Sequence, residues 1–103
     1  MSVRYQREIK TADKPRMTED WAEYAGCAQL EMSELITILG GGEGATDLLL
    51  SVVRAVHLVR PKTGEVISEL TAESILKLRP QVLDWLRNQT REAARDEALD
   101  PEV

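Results

Sequence analysis

Aromatic side chains, cysteine and histidine are all scarce in this chain of 103 residues. It contains two tryptophans, two tyrosines and no phenylalanine, so its core must be built from Leu, Val, Ile, Ala and Met, which favours helix packing. The single cysteine, Cys27, excludes an internal disulfide framework and fits a reducing cytoplasm. A length near the modal domain size predicts a single domain over residues 1–103.

Long apolar runs are absent as well. No stretch approaches the ~20 apolar residues that a membrane span needs. Charged residues rather than an apolar run follow Met1, so no signal peptide is visible. These absences predict a cytoplasmic protein that does not act on membranes.

Positive charge is missing from one long segment. Residues 17–53 contain seven acids and no lysine or arginine, whereas residues 1–16 are predominantly basic, and the whole chain has a formal net charge of −5. An acidic chain with few aromatic residues argues against nucleic-acid binding, which uses a basic stripe and stacking rings. A solvated acidic helix face is the simplest interpretation, and a surface for a basic partner is the alternative.

The dominant pattern is helical, and we expect a mainly α fold of three to four helices, with one short β-hairpin as an open alternative. Residues 1–16 are predicted to form an extended basic arm. Thr18 then provides an N-cap, and apolar residues recur every three or four positions, which predicts one long helix over residues 18–39. A break near Gly26 is the less favoured alternative. The stripe comprises Trp21, Ala25, Ala28, Met32, Leu35 and Leu39.

Further helices are expected after this stripe. Thr46 provides an N-cap for a helix over residues 46–58, although the β-branched end of that segment allows a strand, which would pair with residues 65–68 in a small hairpin. Thr71 caps a short helical turn and Pro80 suits the first position of a last helix, so one or two helices are expected across residues 71–95. The predicted helical core spans residues 17–95, and a frayed acidic tail spans residues 96–103.

A glycine-rich stretch, GGGEG at residues 40–44, raises the question of phosphate binding. A phosphate loop needs a lysine after its last glycine, but Ala45 follows Gly44. A dinucleotide-binding loop needs a preceding strand, but a helix is predicted there. Glu43 and Asp47 would also repel a phosphate, so we predict no cofactor. The glycines are instead assigned as a candidate hinge between two apolar helices: Gly40, Gly41, Gly42 and Gly44.

No catalytic or metal-binding constellation is visible in the sequence. Cys27 and His57 are chemically able to form a nucleophile and base pair, but no third orienting residue stands at a diagnostic spacing. Scattered carboxylates do not complete a metal-ligand set. Acid pairs such as Glu31 with Glu34 share a helix face but lack the buried apolar setting that acid–base catalysis needs. We therefore expect a protein that is not an enzyme and holds no metal.

What remains is a candidate protein-binding surface. The long helix exceeds what so small a domain needs, and tryptophan is enriched at interaction hot spots. Exposed apolar stripes in so small a chain also predict homo-oligomers. The candidate partner-binding residues are Trp21, Tyr24, Ala25, Ala28, Met32, Leu35 and Trp85.

Three motifs, taken in order over residues 3–90, resemble a known protein family. They are RMTEDW, PKTGEVI and LTAESILKLRP, and this layout resembles the small, first-frame tail assembly chaperones of long-tailed bacteriophages. The matching positions are Met17, Thr18, Asp20 and Trp21; Gly64, Glu65 and Ile67; and Thr71, Glu73, Ser74, Ile75, Leu76, Leu78 and Pro80.

The resemblance implies a non-enzymatic helper that works in the cytoplasm of a bacterial host. Such a protein would bind the long helical tape-measure protein, help recruit tail-tube subunits and act together with a longer frameshifted form of itself. Contacts of the helix-in-groove kind would suit this role. An alternative from another class is a small acidic inhibitor, of the anti-defence or nucleic-acid-mimic type, that blocks a basic partner surface.

Overall fold

The chain combines helices with an antiparallel sheet in the computed structural model, which describes residues 2–10 and 14–99. Helices account for 46% and strands for 28% of the structure. The prediction of a mainly α fold was therefore wrong, and the protein has an α/β fold.

Four strands form the sheet in the order in which they occur along the chain. They are β1 (Val3–Lys10), β2 (Pro15–Tyr24), β3 (Val53–Val59) and β4 (Val66–Ile67), and each pairs antiparallel with the next. The helices are α1 (Met32–Gly40), α2 (Ala45–Val52), α3 (Ala72–Ile75) and α4 (Pro80–Ala98). A 3-10 turn, Cys27–Gln29, links the sheet to α1. Because α1 and α2 lie between β2 and β3 in sequence, the two central strands are joined by a helical excursion rather than by a tight turn.

The long helix predicted over residues 18–39 was wrong. Residues up to Tyr24 are strand, Gly26 adopts a left-handed φ of 83°, and α-helix begins only at Met32. The less favoured break near Gly26 is what the chain adopts. The strand is favoured over a helix here because residues 20, 22 and 24 are buried on one face, at the period of two that a strand requires. Pairing of β2 with strands on both sides then overrides the helical spacing of the apolar residues.

A buried aspartate explains why the alternation in β2 is hard to read from the sequence. Asp20 is only 5% exposed, although its position belongs to the inner face. Its Oδ1 accepts a 2.9 Å hydrogen bond from the Val59 N–H, and its Oδ2 lies 3.4 Å from Nη1 of Arg7. The carboxylate thus joins β1, β2 and β3, since burial of a charge requires such partners.

The second predicted helix was also too long. It begins at Ala45, with Gly44 rather than Thr46 at the N-cap, and ends at Val52. The β-branched residues that follow form β3, and Leu58 and Val59 pair with β4. The hairpin that the sequence left open is therefore present.

The predicted N-terminal arm, helical core and C-terminal tail also differ from the structure. Residues 3–10 of the predicted arm form β1 and pair with β2, while residues 11–13 lie outside the described residues. The helical core predicted over residues 17–95 contains three of the four strands. The predicted helices across 71–95 agree with α3 and α4, including the cap at Thr71 and Pro80 in the first turn. The frayed tail does not begin at residue 96, because α4 continues to Ala98; residues 100–103 lie outside the described part of the chain.

Helix α4 packs across the inner face of the sheet. Its buried residues recur every three or four positions, as an amphipathic helix requires, and they meet the inner face of β2 and β3 in one core. Tyr24 and Leu86 are both fully buried, and the Tyr24 hydroxyl donates a 2.7 Å hydrogen bond to the Leu86 carbonyl. The buried residues of α4 are Val82, Leu86, Thr90, Ala93 and Glu97.

Replacing Asp20 tests how far this carboxylate stabilises the sheet. We expect Asp20→Ala to lower the free energy of unfolding by about 3 kcal/mol, because it leaves the Arg7 guanidinium and the Val59 N–H buried without their partner. Urea unfolding followed by circular dichroism measures the loss.

Glu19→Ala is the matched control, since Glu19 lies next to Asp20 on β2 but is exposed. Its effect should stay within about 0.5 kcal/mol. Equal losses in the two variants would contradict the role assigned to Asp20.

Candidate interaction surface

Helix α1 carries a stripe of apolar residues, two of which are largely exposed to solvent. Met32 is 68% and Ile36 is 62% exposed, and they stand one helical turn apart. Leu35 and Leu39 are half-buried beside them, while Ile38 is fully buried and anchors the helix to the core. Positions 32, 35, 36 and 39 follow the spacing with which helices pack against other helices. We call these four residues the α1 stripe.

A capping box fixes the start of α1. The Glu31 side chain accepts from the backbone N–H of residue 34, and the Glu34 Oε1 accepts a 2.9 Å hydrogen bond from the Glu31 N–H. This reciprocal pair satisfies two amide groups that a helix start leaves free. It therefore gives the exposed Met32 a defined position, and it places two carboxylates at one end of the stripe.

The sequence-predicted partner residues do not share one surface. Tyr24 is fully buried, Trp85 packs against the core, and Ala25 and Ala28 lie in the connection between β2 and α1. Only Met32 and Leu35 belong to the α1 stripe. Ile36, which is more exposed than Leu35, was missed because it falls outside the predicted stripe; the i, i+4 spacing from Met32 was the available signal.

Trp21 lies on the opposite face of the sheet, where residues 2–10 and 14–99 place no helix, and we call this the helix-free face. Its ring stacks on His57 at 6.1 Å between centroids, and the Arg4 guanidinium lies 4.0 Å from the Trp21 ring centre. Arg4 also pairs with Glu23 at 3.5 Å. Trp21 thus packs against Arg4 and His57 of the neighbouring strands and stabilises the sheet locally.

The glycine run ends α1 and begins α2. Gly41 has a φ of 69° and closes α1, and Gly44 has a φ of 82° at the start of α2. The two helix axes differ in direction by 110°. A side chain at Gly41 would meet Arg87 at 2.7 Å, so this corner packs closely against α4. The glycines separate two helices, as the sequence predicts, whereas motion of the hinge stays a prediction.

Cys27 and His57 do not form the nucleophile and base pair considered from the sequence. Cys27 is 1% exposed in the core next to α4, whereas His57 stacks on Trp21 on the helix-free face. Burial, with a smaller contribution from the Glu97 carboxylate, raises the pKa of the Cys27 thiol to about 12. A buried thiol of this kind is a poor nucleophile.

Glu97 binds the turn that follows β2. Its Oε2 accepts a 2.8 Å hydrogen bond from the Ala28 N–H, while its buried Oε1 has no partner among the described residues. Nearby, the Tyr5 hydroxyl donates to Asp96, and burial followed by this hydrogen bond raises the pKa of Tyr5. These polar contacts attach the end of α4 to the sheet.

Possible metal ligands do not cluster in residues 2–10 and 14–99. No group of three or more His, Cys, Asp or Glu side chains there could hold a metal ion. A cleft beside the β3–β4 turn carries positive charge from Arg60, Lys62, Lys77 and Arg79, although Arg60 already pairs with Glu65 at 2.7 Å. The cleft gives the acidic chain one local basic patch.

Within the described residues, none of the helices taken singly has both the length and the apolar composition to cross a membrane. Only α1 and α2 taken together reach that length and composition, and they are bent by 110° at the glycines.

No family model, curated protein or solved structure matches the chain. The likeness to tail assembly chaperones therefore stays a pattern of motifs in the sequence.

The raised pKa of Cys27 predicts how stability changes in alkali. Because the unfolded thiol loses its proton near pH 9 and the folded thiol only near pH 12, its contribution to stability is complete below about pH 9 and is lost as the pH rises toward 12. We expect Cys27→Ala to lose less stability than the wild type between pH 9 and pH 11 in urea unfolding.

The quantity to compare is the slope of the free energy of unfolding against pH in the wild type and in Cys27→Ala. Burial also raises the pKa values of Tyr5 and Tyr24, but both tyrosines remain in the variant and affect both slopes. Identical slopes would contradict the burial assigned to Cys27.

Proposed function

We propose that this protein is a non-enzymatic phage tail assembly chaperone, which binds an amphipathic helix of the tape-measure protein along the α1 stripe and helps recruit tail-tube subunits in the host cytoplasm. The α1 stripe is the observation that carries the proposal. It exposes Met32 and Ile36 to solvent at helical spacing, and a long helical partner has the matching geometry.

Leaving the apolar side chains of the α1 stripe in water costs free energy that a partner helix would recover. Each fully buried Leu, Ile or Met side chain contributes roughly 1.5–3 kcal/mol, so covering Met32 and Ile36 supplies a useful part of a binding free energy. The half-buried Leu35 and Leu39 flank them, which gives the surface the ridge and groove that a second helix needs. The stripe is also held in place before binding, because Ile38 and the capping box fix α1.

Charge around the stripe specifies the partner further. Glu31 and Glu34 stand at the start of α1, and Glu43 and Asp47 follow its end, where Arg87 of α4 lies beside Gly41 and adds one positive charge. A partner helix with an apolar face flanked by lysine or arginine would complement this rim. Rim charges of this kind speed association and set specificity, so binding should weaken with added salt.

The acidic-inhibitor alternative is less favoured by the positions of the acids. Asp20 is buried and paired with Arg7, and Glu23 pairs with Arg4. A mimic of nucleic acid would need free carboxylates spread over one face, and these two of the seven acids in residues 17–53 already have partners.

Substitution in the α1 stripe tests the proposal. Co-expression with the tape-measure protein of the same genome should keep a helical fragment of that protein soluble and bound. Ile36→Asp should weaken this binding by about tenfold or more, because it places a charge in the apolar contact. Dilution of the co-purified complex in an isothermal titration calorimeter measures its dissociation constant and therefore the change.

Leu76→Asp is the matched control, because Leu76 is 85% exposed on the turn after α3 and lies outside the α1 stripe. It should bind as the wild type does. The proposal fails if the fragment is equally insoluble with and without the wild-type protein, or if Ile36→Asp and Leu76→Asp bind alike.

A further inference from the structure

The outer edge of β1 is unpaired among the described residues. β1 stands at the end of the strand order and is eight residues long, whereas the other edge strand, β4, has two residues. Half of the backbone N–H and C=O groups of an edge strand point away from the sheet, and such an edge is a template for another strand. The question is which strand fits it.

We propose that two copies of this chain pair through β1, antiparallel, with Gln6 opposite Gln6 of the second copy. The resulting dimer has one continuous sheet, with the helices of both copies on the same side. In this dimer the two-fold axis is perpendicular to the sheet, so two residues that lie opposite each other must point to the same side of the sheet. The sum of their two residue numbers must therefore be even, because side chains alternate along a strand.

Charge selects one register from those that symmetry allows. With Gln6 at the centre, Arg4 of each copy faces Glu8 of the other, so opposite charges meet twice. With Arg7 at the centre, two guanidinium groups face each other, which is unfavourable. With Tyr5 at the centre, Arg4 faces Gln6 and fewer residues pair. The Gln6 register therefore combines the greatest overlap with complementary charge.

The exposure of these side chains fits the same register. Arg4, Gln6 and Glu8 are exposed on the helix-free face, and the Arg4 side chain remains 58% exposed although it pairs with Glu23. On the helix side, Val3 would face Ile9, which is 39% exposed in the single chain. Pairing would cover this apolar side chain with another and form ion pairs on the opposite face.

Charged side chains on an edge strand have a second known effect, which is to prevent pairing. The two effects differ in what they require of the charges. Protection needs charges of any sign, whereas the proposed dimer needs opposite charges at positions 4 and 8. Reversal of charge at each position therefore distinguishes them.

The experiment compares Arg4→Glu, Glu8→Arg and their equimolar mixture by sedimentation equilibrium. The wild type should be dimeric. Each single variant places like charges opposite each other twice, so its dimer dissociation constant should rise about tenfold or more. In the mixture, both carboxylates of the Arg4→Glu chain would face arginines of the Glu8→Arg chain, so the heterodimer should recover near wild-type affinity.

Glu69→Arg controls for net charge, because Glu69 is exposed outside the sheet and the substitution changes the charge as Glu8→Arg does. It should remain dimeric. Circular dichroism of Arg4→Glu checks folding, since that variant also loses the Glu23 pair and the contact of Arg4 with the Trp21 ring. A monomeric wild type, a dimeric Glu8→Arg, or a mixture no tighter than the single variants would each overturn the proposal.

The dimer does not rest on the proposed chaperone function. The α1 stripe and the β1 edge share no residues, so helix binding and dimerisation are measured with separate variants. Loss of one leaves the other intact.

Discussion

The hydrogen bond from Tyr24 to Leu86 joins the two layers on which the rest of the structure depends. Both residues are fully buried, and the bond satisfies a phenolic hydroxyl that would otherwise be costly to bury. Burial raises the pKa of Tyr24 far above its ordinary range, so this donor keeps its proton. The bond holds α4 on the inner face of the sheet, against the central strand β2. Glu97 of α4 also binds the turn that follows β2.

This arrangement leaves specific surfaces uncovered. α4 occupies the inner face of the sheet, so the opposite face carries Trp21 between Arg4 and His57. α1 contacts the core through Ile38 and turns its stripe outward. The outer edge of β1 has no strand beside it in the described chain. Helix binding and strand pairing thus use different parts of one scaffold, and neither needs the sheet to rearrange.

The sequence predicts some of these features and misleads about others for physical reasons. Caps are local, so Thr71 and Pro80 were assigned correctly, and the break between two helices at the glycines of residues 40–44 was predicted. β2 was missed because its strand character depends on partners distant in sequence and on a buried aspartate that breaks the apolar alternation. Of the candidate partner-binding residues, Met32 and Leu35 lie on α1, whereas Tyr24 is a core residue because residue 24 belongs to the inner face of a strand; that these residues bind a partner stays a prediction.

Backbone nuclear Overhauser effects over residues 15–39 decide whether β2 is a sheet strand beneath α4. We expect cross-strand contacts between Gln6 and Trp21 and between Trp21 and His57, together with helical contacts that begin only at Met32. An unbroken series of sequential amide–amide contacts from residue 18 to residue 39 would instead show one long helix, and the strand β2 would then be wrong.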